Sequence, residues 1–330
     1  MKAVVTGGAG FIGQRLVRSL LAKGELTLAD GSTAEITSLI ATDIVAPAEP
    51  ISDDPRLTFV AGDFGTEEML DLLVTPDTQL VFHLAAVVSG GAEEDFDLGM
   101  RVNLHSTMAL LERLRALPHV PRIVFASSVA VFGGTLPDVI EDGTACTPQT
   151  SYGGQKLITE HLLTDYSRRG FLDGRALRLP TIVVRPGKPN KAASSFASAI
   201  IREPLQGQEV ICPVREEAGV WVMSPRKVVE NFLRAEELPA AAWGTSRSVS
   251  LPGLTISVKS MIDTLREVAG DAVADRIRWQ PDAEIERIVY GWPVRFAANR
   301  ALEMGFSADR SFREIVEAFI DDELDGTFVE

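Results

Sequence analysis

The eight residues TGGAGFIG, Thr6–Gly13, constrain this chain more than any other feature. They stand between a strand-like run, Lys2–Thr6, and a helical pattern, Phe11–Lys23, with Leu16, Leu20 and Leu21 along one side and Gly24 as a stop. Gly7, Gly10 and Gly13 recur every third residue, and Gly8-Ala9-Gly10 opens the Gly-x-Gly-x-x-Gly form as well. Glycine permits the tight turn, lets backbone approach a pyrophosphate and lets helix pack on strand. The helix N-terminus then offers unpaired N–H groups and a partial positive charge to phosphate. With a strand before it and a helix after it, the motif reads as a dinucleotide site. Its candidate cradle is Gly7, Gly10, Phe11, Ile12 and Gly13.

Such a site also wants an acid on the adenosine ribose at the end of the second strand. Asp30 has the better spacing, but it precedes Gly31 in a polar stretch that reads as a hairpin turn. Asp43 ends the apolar run SLIAT, Ser38–Thr42, and is preferred, with residues 24–35 read as an insertion. Either acid would repel a ribose 2′-phosphate, which favours NAD over NADP. Asp63, after the strand-like Leu57–Ala61, is the natural partner for the adenine amino group, or a cap for the helix after Phe64.

Beyond that point, short apolar runs alternate with helical patterns: Leu80–Ala86, a long helix at Phe96–Leu117, Ile123–Ser127, a helix from Tyr152 to Arg168, and Arg175–Val184. The alternation predicts an α/β, Rossmann-type, doubly wound parallel sheet with a smaller C-terminal substrate lobe. In the less regular second half, helices are expected at Ser194–Arg202 and Val258–Ala269, and a strand at Ser246–Leu251. Residues 1–180 with about 224–255 are assigned to NAD binding, and 181–223 with 256–330 to the substrate lobe.

Tyr152 and Lys156 are one helical turn apart and share a face. A lysine there favours phenolate, which would draw the tyrosine pKa down and make it a general base. Gly153 and Gly154 between them suggest that something, such as a nicotinamide ring, approaches the first turn closely. Ser127 and Ser128 end a central strand at the carboxyl edge, where open α/β sheets bind ligands.

Taken in order, TGGAGFIG, FASSVAVFG (Phe125–Gly133) and Tyr152–Lys156 resemble the extended short-chain dehydrogenase/reductase family over nearly the whole chain. The resemblance implies catalytic roles for Ser128, Tyr152 and Lys156, with Asn103 in RVNLHST propping a water relay to the lysine. It places HLAAVVSG, His83–Gly90, along the cofactor. Phe64, Leu84, Ala85, Ala86, Asn103, Ala126, Tyr152, Lys156 and Pro180 are the further cofactor contacts expected. His83 reads as a core histidine bonded to backbone, and His161 as a solvated one.

The segment Arg175–Leu205, with TSYGGQK, DYSRRGF and WPVRFAANRALEMGF, resembles the branch that uses NAD to oxidise the C2 hydroxyl of a small sugar acid, a D-erythronate-like aldonate. Charge offers separate support. The chain carries 46 acids and 32 bases, a net charge of −14, yet residues 174–202 hold six bases and no acid. Ser128, Tyr152, Arg185, Lys188 and Ser195 are the candidate substrate contacts. Nucleotide-sugar phosphates would use the same features, so a 4-epimerase with tightly held NAD stays open as the alternative. A non-catalytic cofactor sensor is the third reading, disfavoured by the retained Tyr/Lys pair.

The acidic balance argues against nucleic-acid or anionic-membrane partners. Cys146 and Cys212 make no disulfide framework, and the four histidines show no zinc spacing, so no metal is expected. The opening run MKAVVTGG is strand-like rather than a signal segment, and no stretch reaches a membrane span, which points to a cytoplasmic enzyme. Apolar residues beyond one stripe on the two long helices resemble the family's dimer interface, so a homodimer is expected.

Overall fold

The computed structural model describes residues 1–28, 31–187 and 193–329. Seven parallel strands form the central sheet: β1 (Lys2–Thr6), β2 (Ser38–Asp43), β3 (Leu57–Ala61), β4 (Thr78–His83), β5 (Arg122–Ser128), β6 (Asp173–Leu179) and β7 (Ser248–Ser250). Their spatial order is β7-β6-β5-β4-β1-β2-β3. The reversal between β1 and β4 is a topological switch point, and a ligand crevice forms outside the carboxyl ends of such strands. All five residues of β1 are buried, as expected of a strand covered on both faces. Helix α1 (Phe11–Lys23) buries Leu16, Val17, Leu20 and Leu21 and stops where Gly24 turns left-handed.

The sequence reading differs from the structure at three places. β4 ends at His83, because Leu84 N–H then bonds to Thr6 O and Ala85 N–H to Thr6 Oγ1, carrying the chain over the glycine turn. The helix expected over Phe96–Leu117 is α-helical at Phe96–Gly99, a π-helix at Met100–Ser106, and α-helical again in α3 (Thr107–Arg115). Apolar periodicity does not register such a local change of winding. The strand expected at Arg175–Val184 is cut at Pro180, which has no N–H for a ladder, and Thr181–Ile182 joins a separate sheet with Gly219–Met223 and Leu254–Ser257. The inserted hairpin does form, Glu25–Thr27 pairing antiparallel with Thr33–Glu35.

One apolar core lies between the sheet and helices such as α1, and includes Val228, Phe232 and Trp243. Another gathers Val183, Phe196, Ile200, Val220, Met261, Leu265, Phe312 and Phe319 outside the main sheet. Ala298, Ala301, Met304 and Phe306 belong to the first core, so part of the C-terminal stretch packs on the nucleotide half. Among the described residues no helix is long and apolar enough to cross a membrane.

Candidate active site

The glycine turn is built so tightly that side chains cannot enter it. Gly7 has φ +72°, and a Cβ there would lie 2.8 Å from Ala85 N. A Cβ on Gly13 would lie 2.1 Å from Gly7 O. Helix α1 starts with no side-chain cap at Gly10 and no acid in its first turn, which leaves Phe11, Ile12 and Gly13 at an electropositive N-terminus. Asp43 stands at the carboxyl end of β2 and its Oδ2 accepts Ala9 N–H at 3.1 Å, directly beside the turn. These features fit a dinucleotide: an anion-compatible cradle flanked by a carboxylate at the end of the second strand. Asp30 lies outside the described residues.

Asp63 accepts Gly65 N–H at 2.9 Å, and the following helix, α2 (Glu67–Leu73), is capped instead by Thr66. Its carboxylate therefore shapes the turn without capping the helix. Phe64 is buried edge-on to His83. Leu84, Ala85 and Ala86 are half-buried along the chain that leaves β4.

Ser128 ends β5, and its Oγ accepts Ala130 N–H at 3.1 Å. That leaves its hydroxyl proton free to face the Tyr152 phenol, whose pKa the Ser128 hydroxyl lowers. Tyr152 and Lys156 lie in the first turns of α4 (Ser151–Arg168), which is capped by Thr150. Lys156 Nζ donates to Ala126 O at 2.8 Å and sits 5.5 Å from the Tyr152 ring centroid and 4.5 Å from that of Phe125. Ser128, Tyr152, Lys156 and Ala126 thus converge at the carboxyl edge, beside β6, whose Leu179 pairs with Ser128 just before Pro180.

The electrostatics reverse one expectation. Burial pushes the Tyr152 phenol up to about 12, outweighing its bond with Ser128. Lys156 is itself pushed down to about 7, burial outweighing the negative charge of Glu160. Desolvation, the largest cause for both groups, thus acts on the tyrosine and on the lysine in opposite directions.

Gly153 and Gly154 also read differently in three dimensions. A Cβ on Gly153 would lie 2.2 Å from Ala130 O, so the protein's own backbone makes the close approach. Gly154 faces open space, with nothing within 4 Å of an added Cβ.

Asn103, 4 % exposed, lies in the π-helix. Its Oδ1 accepts Val87 N–H at 2.7 Å, and its Nδ2 donates to Val87 O at 3.0 Å and to Gln155 Oε1 at 2.7 Å. Its side chain fixes the segment after β4 against α4. His83 is fully buried, with Nδ1 against Thr6 Oγ1 at 2.7 Å and Nε2 against Thr107 Oγ1 at 2.9 Å. Its partners are two hydroxyls, not the backbone group expected. Burial and the Lys156 charge push its pKa down to about 3, so it is neutral. His161 is exposed.

Of the four described bases in the acid-free window, three are neutralised. Arg175 pairs with Asp173 just outside the window, Arg202 pairs with Glu203 just past its other end, and Arg178 pairs with Glu160. Lys188 and Lys191 lie outside the described residues. Among the described bases of the window, Arg185 alone has no carboxylate partner. Its Nη2 donates to Ser194 Oγ at 3.2 Å, its N–H donates to Ser198 Oγ, and its carbonyl accepts Arg202 Nη1. Ser194 and Ser195 open α5 (Ser195–Leu205), which has no side-chain cap bond. Among the described residues no group of three or more His, Cys, Asp or Glu side chains could hold a metal.

Sequence reasoning missed Gln155 and Glu160. Glu160 is four residues after Lys156, a spacing that places both on one helical face and could have flagged it. Gln155 gave no comparable signal.

The glycine turn, the carboxylate at the end of β2 and the Ser/Tyr/Lys set on one sheet edge define an NAD-dependent oxidoreductase of the extended short-chain dehydrogenase/reductase type. The chain belongs to the NAD dependent epimerase/dehydratase family, whose model matches residues 3–218. Relatives named D-erythronate dehydrogenase occur in Cupriavidus necator, 54% identical over 98% of both chains, and in Haemophilus influenzae, 45% identical over 97% of this chain and 99% of the relative. A crystal structure described as a nucleoside-diphosphate-sugar epimerase from Agrobacterium tumefaciens is 42% identical, with TM-score 0.93 over 99% of this chain and 95% of that one. A GalE-like L-threonine dehydrogenase from Cupriavidus necator, at 22% identity and TM-score 0.83 over 98% and 99% of the two chains, shares the fold.

Proposed function

We propose that this enzyme oxidises the C2 hydroxyl of a small sugar acid of the D-erythronate type to the 2-oxo acid. The observation that carries the reading is the convergence of Ser128, Tyr152 and Lys156 beside an intact glycine turn, in a chain about half identical to D-erythronate dehydrogenases. NAD supplies the hydride acceptor and, in its oxidised ring, a positive charge. Gly7, Gly10, Phe11, Ile12 and Gly13 would hold its pyrophosphate, Asp43 its adenosine ribose and Asp63 its adenine. Phe64, Leu84, Ala85, Ala86, Ala126 and Pro180 would line it, and Lys156 would hold the nicotinamide ribose.

Tyr152 takes the C2 hydroxyl proton, and Ser128 orients that oxygen. A phenol held near 12 is a poor base alone, so the tyrosine works as one half of a pair with Lys156. The pair loses one proton between them, and activity follows the form with that charge on the phenol and the remaining proton on the lysine. Asn103 acts one step back, by setting the chain after β4 against α4.

Arg185 is the side chain we assign to the substrate carboxylate, with Lys188 and Ser195 as further candidate contacts. Charge-assisted bonds of this kind contribute about 1.5–3 kcal/mol. Replacing Arg185 by alanine is therefore expected to raise the KM for the aldonate about 10- to 100-fold while changing kcat far less. A KM within about twofold of wild type would remove Arg185 from the site. C2 as the reacting centre is tested with C2-deuterated D-erythronate, whose label should pass to the reduced cofactor; label retained in the product would exclude C2.

The similarity to a structure described as a nucleoside-diphosphate-sugar epimerase favours a second reading, a 4-epimerase using the same residues and retaining its NAD. Residues 1–180 with about 224–255 form the cofactor unit in our reading, and 181–223 with 256–330 contribute the substrate lobe. The second apolar core, drawn from both stretches of the lobe, supports that division, whereas Ala298, Ala301, Met304 and Phe306 pack with the first. We extend the proposal to a homodimer through the helices that flank the site, which light scattering tests; Met108 and Ile158 are exposed on them.

A further inference from the structure

We propose that Glu160 is a positioning residue for the Tyr152–Lys156 pair, its carboxylate placing a negative charge one helical turn from the lysine and tying α4 to the strand edge that carries Ser128. The proposal rests on the reading of Tyr152 as base and Lys156 as its partner.

Glu160 is 3 % exposed and lies one turn beyond Lys156 on α4. A carboxylate so placed must be compensated, and it is. Arg178 of β6 holds it with Nε at 3.0 Å from Oε1 and 3.1 Å from Oε2, and with Nη2 at 2.7 Å from Oε2. Ser127 Oγ donates to Oε1 at 2.5 Å. Arg178 is fixed in turn by Ser248 Oγ at 3.2 Å and by the Phe132 ring, 5.2 Å from its guanidinium carbon.

Position on β5 gives this cluster its leverage. Ser127 lies between Ala126, whose carbonyl receives the Lys156 ammonium, and Ser128, the last residue of the strand. A tie at Ser127 therefore sets the height of both neighbours relative to α4. The negative charge acts on Lys156 as well, opposing the burial that would otherwise discharge it. The other titratable groups around the pair are few. His83 of β4 is neutral, the Cys146 thiol on the chain between β5 and α4 is held up by burial, and β6 contributes Arg178. Glu93, on the short helix at Ser89–Glu94, is committed at the start of α4 to Ser151 N–H.

The sign of the effect follows from the pair's single proton loss. A nearby carboxylate disfavours that loss and keeps the remaining proton on the lysine, where catalysis needs it. The test is the pH profile of kcat for NAD reduction with D-erythronate in wild type, Glu160→Gln and Arg178→Met. Glu160→Gln should move the apparent pKa of turnover about 1 pH unit down and lower the plateau about tenfold. Arg178→Met should move the apparent pKa up. A purely structural tie would lower kcat in both variants without opposed displacements. Coincident profiles, or displacement in one direction by both, overturn the proposal.

Glu160→Asp should return the apparent pKa towards wild type. If Glu160→Gln does not fold, Arg178→Met decides alone: an apparent pKa moved up supports the role, and one unmoved or moved down overturns it. Turnover by Tyr152→Phe would defeat the underlying base assignment, whereas an inactive Tyr152→Phe with an unmoved Glu160→Gln profile defeats only the positioning role.

Discussion

Replacing Tyr152 by phenylalanine is expected to lower kcat about 10²- to 10⁴-fold, the range that a positioned general base contributes. The ring still fits the half-buried site at the start of α4, and only the hydroxyl is lost. NAD binding should persist, because the glycine turn, Asp43 and Lys156 are untouched. Isothermal titration with NAD and steady-state kinetics on one preparation separate these outcomes. A variant that binds NAD normally and turns over within tenfold of wild type would move the proton-accepting role elsewhere. His83 is a poor substitute, since both its ring nitrogens are engaged by threonine hydroxyls and it is fully buried.

Gly13→Ala carries the second large effect. Its Cβ would fall 2.1 Å from Gly7 O and 2.9 Å from Gly8 Cα, so the turn must open or α1 must shift. Relief by moving α1 is resisted by Leu16, Val17, Leu20 and Leu21, all packed in the main core. Overpacking of this kind costs about 1–3 kcal/mol, and a displaced turn also loses the backbone N–H geometry that an anion requires. Lower melting temperature and NAD affinity weakened by at least about tenfold are the expected results. Gly154→Ala is the contrast, since nothing lies within 4 Å of its added Cβ and alanine favours helix by up to about 1 kcal/mol. Unchanged stability and NAD affinity in Gly13→Ala would show that the turn is looser than its contacts indicate.

Features written in contiguous residues were legible before the fold was known. TGGAGFIG places its own strand and helix, and the Tyr152–Lys156 spacing requires only that the segment be helical. Asp43 could be preferred over Asp30 because an apolar run leads into it, and β2 does end there. What stayed hidden depends on long-range partners. The charge of residues 174–202 looked like an anion site until Asp173, Glu160 and Glu203 were found to neutralise three of its arginines. The shift of Tyr152 was misjudged because spacing reveals the neighbouring lysine but not the burial that acts on both groups. The π-helix around Asn103 answers to the backbone of Val87 and the side chain of Gln155, neither of which periodicity can register.

The central claim, a dehydrogenase that releases reduced cofactor after oxidising a small sugar acid, is tested most directly by supplying purified protein with excess NAD and D-erythronate and following free NADH. Sustained, stoichiometric formation of NADH and a 2-oxo acid with D-erythronate, and none with a uridine-diphosphate sugar, is the result expected. Interconversion of a uridine-diphosphate sugar without net NADH, together with inertness towards D-erythronate and related four- to six-carbon aldonates, would contradict the assignment and establish the epimerase reading in its place.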